Sequence, residues 1–214
     1  ECGVSNFILG GGIAMNVKMN QRIAALDCVE ALYVPGSAAD ESLSIGGCYY
    51  LNHKNGGGDA APLQNMYLGF DASDDVENAD WDALSQKFLV RRDISNHDVA
   101  VLLRKGDIVA RINERCEFGQ RSLGNRSILA DPSRKDTVMR INEAVKNRDF
   151  WMPFAPSILE EDSDRYLSNP NNILCPNMTL TFETNKEARC EIISALHPYD
   201  FSCRPQIVNK ETNQ

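Results

Sequence analysis

The run Glu117-Phe-Gly-Gln-Arg-Ser-Leu-Gly-Asn-Arg-Ser-Ile-Leu-Ala-Asp131 constrains this chain more than any other stretch. It packs two arginines, two glycines, an asparagine and two serines into a short segment, then ends in an apolar burst. Surface loops rarely join so many anion-binding groups to backbone-permissive glycine. The apolar flank 128–130 points to a lined pocket, with residues 127–129 extended as a strand. Charge sharpens the point. Residues 115–148 carry eight Lys and Arg against four Asp and Glu, a local excess of +4 in a chain whose net charge is −8. A basic island in an acidic protein implies a localised anionic ligand, because phosphate is held by arginine forks, lysine and backbone N–H groups.

An acidic chain excludes general nucleic-acid binding, which needs a broad basic face. Hydrophobic content of 43% and charged content of 24% are those of an ordinary globular protein. No apolar run approaches the roughly 20 residues that span a bilayer, so no membrane insertion is expected. The first residues, Glu-Cys-Gly-Val-Ser, lack a start Met and the basic n-region of a signal peptide, and read as an internal cut through a longer protein. Seven cysteines, an odd number with no C-x-x-C pair, favour free thiols in a reducing cytoplasm. His53, His97 and His197 are scattered without metal-ligand spacing.

The first fifty residues alternate in a way that implies an α/β layer. Residues 6–9 read as a strand, Gly10, Gly11 and Gly12 as a turn, and Ile13, Val17, Ile23 and Leu26 as the apolar positions of a helix. A second strand at 31–34, a turn at Pro35, Gly36 and Ser37, and a helix from Asp40 to about residue 51 follow. Residues 52–63, with Gly56, Gly57, Gly58 and Pro62, are the best linker. Beyond it the pattern predicts surface helices at 72–86 and 96–104, a strand at 107–112, a helix at 135–145, an extended piece within 154–159, a turn at 169–172, a strand at 178–182 and frayed last residues.

Four places can carry chemistry. Gly10, Gly11 and Gly12, with Asn16 in the first turns of the following helix, suit either a phosphate approaching a helix N-terminus or a plain tight turn. Asp40, after a strand and a small-residue turn, suits a helix cap or a cation ligand, and spacing alone favours the cap. Arg121 and Arg126, beside Gly119 and Gly124 and accompanied by Asn125 and Ser127, suit a phosphate grip more than a surface loop of salt bridges. Lys146 and Arg148, two apart, leave the same face if that segment is extended, and like charges so placed call for an anion between them. Arg204 is a further cation that joins these in one polyanion site.

The stretches FGQRSLGNRSILADP and MRINEAVKNRDFWMPFAPSILEED resemble the signature of the nodulation-type O-carbamoyltransferases, whose usual pattern is close to F-G-P-R-A-L-G-N-R-S-I-L-A-D-P, then K-F-R-E, then R-P-F-A-P. LGGGIAMN and YVPGSAADESLSIGG are similar to that family's upstream domain. The resemblance implies an α/β chain in two parts: residues 1–64 as the end of an actin-like (ASKHA) transfer domain, and 65–214 as most of a YrdC-like domain. It implies that carbamoyl phosphate and ATP are joined into carbamoyl-adenylate, and that the carbamoyl group then passes to a hydroxyl of a small molecule or glycan, with a divalent metal, Fe(II) by preference. It leaves room for a homodimer. By position, Asp40 takes the place of a metal ligand, Gly10, Gly11, Gly12 and Asn16 of a nucleotide-contacting turn, and Lys146, Arg148 and Arg204 of adenylation-site cations. Arg121, Asn125, Arg126 and Ser127 belong to the F-G-x-R segment that grips the nucleotide. Gln120, Ser122 and Asn147 replace the usual proline, alanine and phenylalanine, and Glu41 and Ser42 stand where small residues are common. The His-x-x-x-His motif and the Asn-Thr-Ser-Phe-Asn segment are absent from the sequence, so a truncated piece inactive in transfer is expected.

Overall fold

A computed structural model describes residues 3–149 and 151–210, which form a mixed α/β structure with four small sheets. The expected opening alternation is present. Strand β1 (Asn6–Ile8) pairs in parallel with β2 (Ala31–Tyr33), and the crossover holds a 3₁₀ turn at Gly12–Met15 and helix α1 (Val17–Ala24). Asn16 starts α1 as its N-cap, its side chain accepting from the Met19 N–H at 3.1 Å. Helix α2 (Ser42–Lys54) follows β2 and buries no residue.

Residues 72–86 form two short helices rather than one. They are α3 (Ser73–Glu77) and α4 (Trp81–Ser85). The break falls at Asn78 and Asp80, because Asp80 accepts from the Ala83 N–H at 2.9 Å and caps a new helix. Helix α5 (Asn96–Lys105) has a Ser95–Asp98 capping box and ends on left-handed Gly106. It leads into β3 (Val109–Ile112), antiparallel to β4 (Arg126–Leu129), with Arg111 opposite Ser127. Helix α6 (Thr137–Ile141) runs into a π-helical turn at Asn142–Lys146.

Strand β5 (Ser157–Leu159) is followed by α7 (Ser163–Tyr166), β6 (Leu167–Ser168), β7 (Phe182–Thr184), β8 (Ser202–Cys203) and β9 (Gln206–Val208). β6, β7 and β8 form an antiparallel sheet, whereas β5 pairs in parallel with β9 and sets Ser157 beside Gln206. The strand expected at 178–182 begins only at Phe182, since Met178 has φ +57° and interrupts an extended path. Of the last six residues, expected to be frayed, 211–214 lie outside the described residues.

The main core joins residues from both ends of the chain. Ala14, Leu32 and Val34 pack with Ile158, Leu180 and Phe182. Asn20 locks this junction. It is fully buried, and its Nδ2 donates to the Ala14 carbonyl at 2.7 Å and the Thr179 carbonyl at 2.9 Å. Lys18 adds a second tie, its Nζ donating to Asp200 Oδ2 and Ser202 Oγ at 2.6 Å each. A smaller cluster packs Leu123 of the 117–131 segment with Met66 and Met178. Among the described residues no helix is long and apolar enough to cross a membrane.

Asn20→Ala leaves two buried carbonyls without donors, each worth about 1–3 kcal/mol. Urea unfolding is expected to show a loss of about 2–6 kcal/mol with an unchanged m-value; a loss within experimental error would show that the junction does not depend on this amide.

Candidate functional site

The hairpin from β3 to β4 is joined by a loop whose shape is set from within. Glu117 is 5% exposed, and its Oε1 accepts the backbone N–H groups of Leu123 at 2.7 Å, Asn125 at 2.9 Å and Arg126 at 3.0 Å. The Gly124 N–H goes to Ser127 Oγ at 3.0 Å. To curl in this way the loop needs glycine at two positions, Gly119 with φ +100° and Gly124 with φ +117°. At 119 space is a second constraint, since a Cβ there would lie 3.0 Å from Ser37 Cβ. The loop is anchored from outside at Leu123, whose side chain is buried and whose carbonyl accepts from Tyr67 Oη at 2.8 Å and Gln206 Nε2 at 2.9 Å.

In front of the loop lies a cavity of about 620 Å³. β3 and β4 supply Arg111, Ile112, Arg126 and Ser127, and the loop supplies Gln120, Arg121 and Ser122. The end of the π-helical turn supplies Lys146, and Arg148 follows it. Ser157, Arg204 and Gln206 come from the β5–β9 side, while Phe154, Ile128 and Met178 give apolar wall. Among the described residues six cationic side chains line this space and no Asp or Glu does.

The electrostatics are those of an anion site. Among the described residues no carboxylate ion pair reaches Arg121, Arg126, Lys146, Arg148 or Arg204. Arg121 Nε and Arg204 Nη1 are buried without a hydrogen-bond partner. Burial pushes the Arg121 guanidinium below its ordinary pKa, yet arginine stays charged in proteins. Buried cationic N–H groups without acceptors are costly, and a ligand oxygen would satisfy them. Arg148 lies 5.7 Å from the Phe154 ring centroid, a cation–π distance that steadies an exposed cation.

The residues singled out in the sequence separate into two groups. Arg121, Arg126, Ser127, Lys146, Arg148 and Arg204 come together on the cavity. The geometry at 146–148 differs from the extended segment expected: Lys146 ends the π-helical turn, and Asn147 is left-handed at φ 44°, ψ 48°. Asparagine tolerates that conformation, and the reversal brings both cations to one cavity where an extended strand was expected to do so. Asn125 does not line the cavity, because its buried side chain donates to the Arg115 carbonyl at 2.9 Å. Nor do Gly10, Gly11, Gly12 and Asn16; the glycines are exposed and Asn16 is engaged as the α1 cap.

The basic island also divides. Arg115 donates to the Leu68 carbonyl, and Arg134 and Arg140 pair with Asp136. Arg111 is a cavity residue that the sequence does not signal, since one arginine in a weakly alternating strand has nothing to mark it. Met152 stands where the R-P-F-A-P pattern opens on arginine, and it does not line the cavity.

Residues 100–214 match the family model described as Carbamoyltransferase C-terminus. This chain belongs to that carbamoyltransferase family. Protein MJ1051 of Methanocaldococcus jannaschii is 33% identical over 100% of this chain and 40% of its own length. Nodulation protein NolO of Bradyrhizobium diazoefficiens is 31% identical over 99% of this chain and 39% of its own. Nodulation protein U of Rhizobium fredii is 27% identical over 98% and 34%. The chain thus spans about two fifths of the length of the first two relatives.

Among the described residues no group of three or more His, Cys, Asp or Glu converges. Asp40 is exposed in the turn before α2, and no side chain caps that helix; backbone bonds from Ser42 to Ala39 and from Leu43 to Asp40 close the turn instead. The cap reading of Asp40 is therefore corrected: the turn closes on its own carbonyls and needs no carboxylate.

For Glu117, burial is the largest influence and pushes the pKa up, but the N–H groups of Arg126, Leu123 and Asn125 together hold the carboxyl below its ordinary value. A depressed folded-state pKa contributes stability above the unfolded value of about 4.3, and that contribution is lost as pH falls through the folded value. Denaturant midpoints measured from pH 7 down to pH 3 are expected to fall less steeply in Glu117→Gln than in the wild type. Parallel curves would show that this carboxylate carries none of the acid dependence.

Proposed function

We propose that the cavity binds carbamoyl phosphate together with ATP and forms carbamoyl-adenylate, which the longer protein uses to carbamoylate a hydroxyl group of a small molecule or glycan. The observation that carries this reading is the convergence of cations, two with buried unpartnered N–H groups, on a space that no carboxylate lines among the described residues. Membership of the carbamoyltransferase family supplies the group transferred. A cavity of about 620 Å³ falls in the range of small-molecule sites, and its mixed lining suits a ligand with both phosphates and an apolar ring.

The atoms balance as follows. Water releases phosphate from carbamoyl phosphate and leaves carbamate. A carbamate oxygen then attacks the α-phosphorus of ATP, a P–O bond forms, and the bond to pyrophosphate breaks. In the transfer step the acceptor oxygen attacks the carbamoyl carbon, loses its proton, and AMP leaves with the former carbamate oxygen. The adenylation step brings two anions into contact. Lys146, Arg148, Arg126 and Arg111, set around the cavity, lower that repulsion. Arg121 and Arg204 hold their guanidinium groups in a partly desolvated wall, where they stabilise charge more strongly than they would in water. Ser157 and Gln206 add neutral polar groups from the β5–β9 pair.

No step is assigned to Asp40 or to a metal, because Asp40 stands without ligating companions among the described residues. For that reason transfer by this chain by itself is not expected, whereas adenylate formation rests on the cavity. A cytoplasmic setting and a homodimer remain parts of this proposal.

Pyrophosphate–ATP exchange in the full-length protein tests the reading. Exchange is expected only when carbamoyl phosphate is present. Arg121→Ala and Lys146→Ala should each weaken ligand binding by about 1.5–3 kcal/mol, roughly 10- to 150-fold, with unfolding midpoints little changed. Tight AMP binding without exchange would reduce the site to a nucleotide- or phosphate-binding module. Loss of stability without loss of affinity would make the arginines structural.

A further inference from the structure

We infer that Glu117 is the positioning residue of this cavity: its carboxylate fills the backbone N–H concavity of the 119–126 loop and so presents Arg121 and Arg126 to the phosphate-bearing ligand. This role rests on the phosphate-binding reading above. Successive N–H groups on a glycine-containing backbone ordinarily make a concavity that receives a ligand's anion. Here the donors at 123, 125 and 126 converge on Glu117 Oε1 within 2.7–3.0 Å, and the donor at 124 is taken by Ser127 Oγ. The anion that organises this turn is part of the chain itself. The ligand therefore meets side chains at this loop, and the four amides serve as the frame that holds them.

Glu117 does not line the cavity, so it acts through the loop and not on the ligand. The frame needs it because of how this arc is held. Leu123 is fixed at one end by its buried side chain and by Tyr67 and Gln206 on its carbonyl, and Arg126 enters β4 at the other. Between those ends the four backbone N–H groups turn to two side chains, three to Glu117 and one to Ser127. Arg121 lies two residues before the first of these amides. The charge matters as well as the shape: hydrogen bonds to an ionised acceptor are about twice as strong as neutral ones. A buried negative charge behind six cations also eases their mutual repulsion.

The test uses the full-length protein with AMP and inorganic phosphate as probes. Calorimetry is run well below each variant's unfolding midpoint, on wild type, Glu117→Gln, Glu117→Ala and the control Asn20→Ala. Both Glu117 variants are expected to bind AMP at least about tenfold more weakly, and acetate at high concentration should restore part of the affinity of Glu117→Ala by refilling the concavity. Asn20→Ala, destabilised at the core junction by a residue that does not line the cavity, should bind AMP as the wild type does and gain nothing from acetate. Wild type that binds neither probe would overturn the proposed function and this role with it. Wild type that binds AMP while both Glu117 variants bind within about threefold of it would overturn this role alone. If neither variant folds, hydrogen exchange on ligand-free wild type decides: the amides of Leu123, Asn125 and Arg126 are expected to be protected, and free exchange there would refute the assignment.

Discussion

One carboxylate oxygen, Glu117 Oε1, takes three backbone N–H groups, and the shape of the cationic cavity follows from that contact. Burying a carboxylate costs several kcal/mol unless its lone pairs are used. Here the donors are main-chain groups that would themselves be costly to leave unpaired in a tight turn. Oε1 satisfies those three donors while Oε2 stays buried without a partner, and the turn they enforce can be made only with left-handed backbone at Gly119 and Gly124. The loop presents cationic side chains forward while its own polar backbone faces inward.

The rest of the cavity depends on distant pieces of chain meeting this loop. The parallel pairing of β5 with β9 sets Ser157 beside Gln206, and Gln206 Nε2 reaches the Leu123 carbonyl. Arg204 enters the wall because it precedes β9 by two residues. Lys146 and Arg148 arrive by a different device, the end of a π-helical turn followed by a left-handed asparagine. π-helical turns of this kind are often found at functional sites. The main core, shared between the first forty residues and those after 157, holds these pieces in place.

Much of the site is legible in the amino-acid order, and the parts that are not have identifiable causes. Arg121, Arg126, Lys146 and Arg148 stand out because a basic cluster in an acidic chain is unusual, and the family resemblance adds Arg204. Charge marks them as candidates for one anion site, but their convergence is made by the fold, and at 146–148 by a single π-helical turn that leaves no periodic trace in the sequence. Asn125 and Asn16 carry amides that bind phosphate and backbone equally well, and only the fold shows that both serve backbone. Arg111 has no local signal because its partner across the sheet, Ser127, is sixteen residues away. The helix predicted over 72–86 splits because short Asx side chains compete for backbone N–H groups.

Residue order carries the motifs by which the chain resembles the carbamoyltransferase family, and its periodicity and local charge pattern give the α/β alternation of the opening residues and the identity of most cavity cations. Folding in three dimensions settles which of those cations share one space, that Arg111 joins them, and that Glu117 turns inward to hold the loop. The physical reason is range: propensity and pattern act over a few residues, whereas convergence is set by long-range pairing such as β5 with β9, and by which buried polar groups find each other once the core has closed.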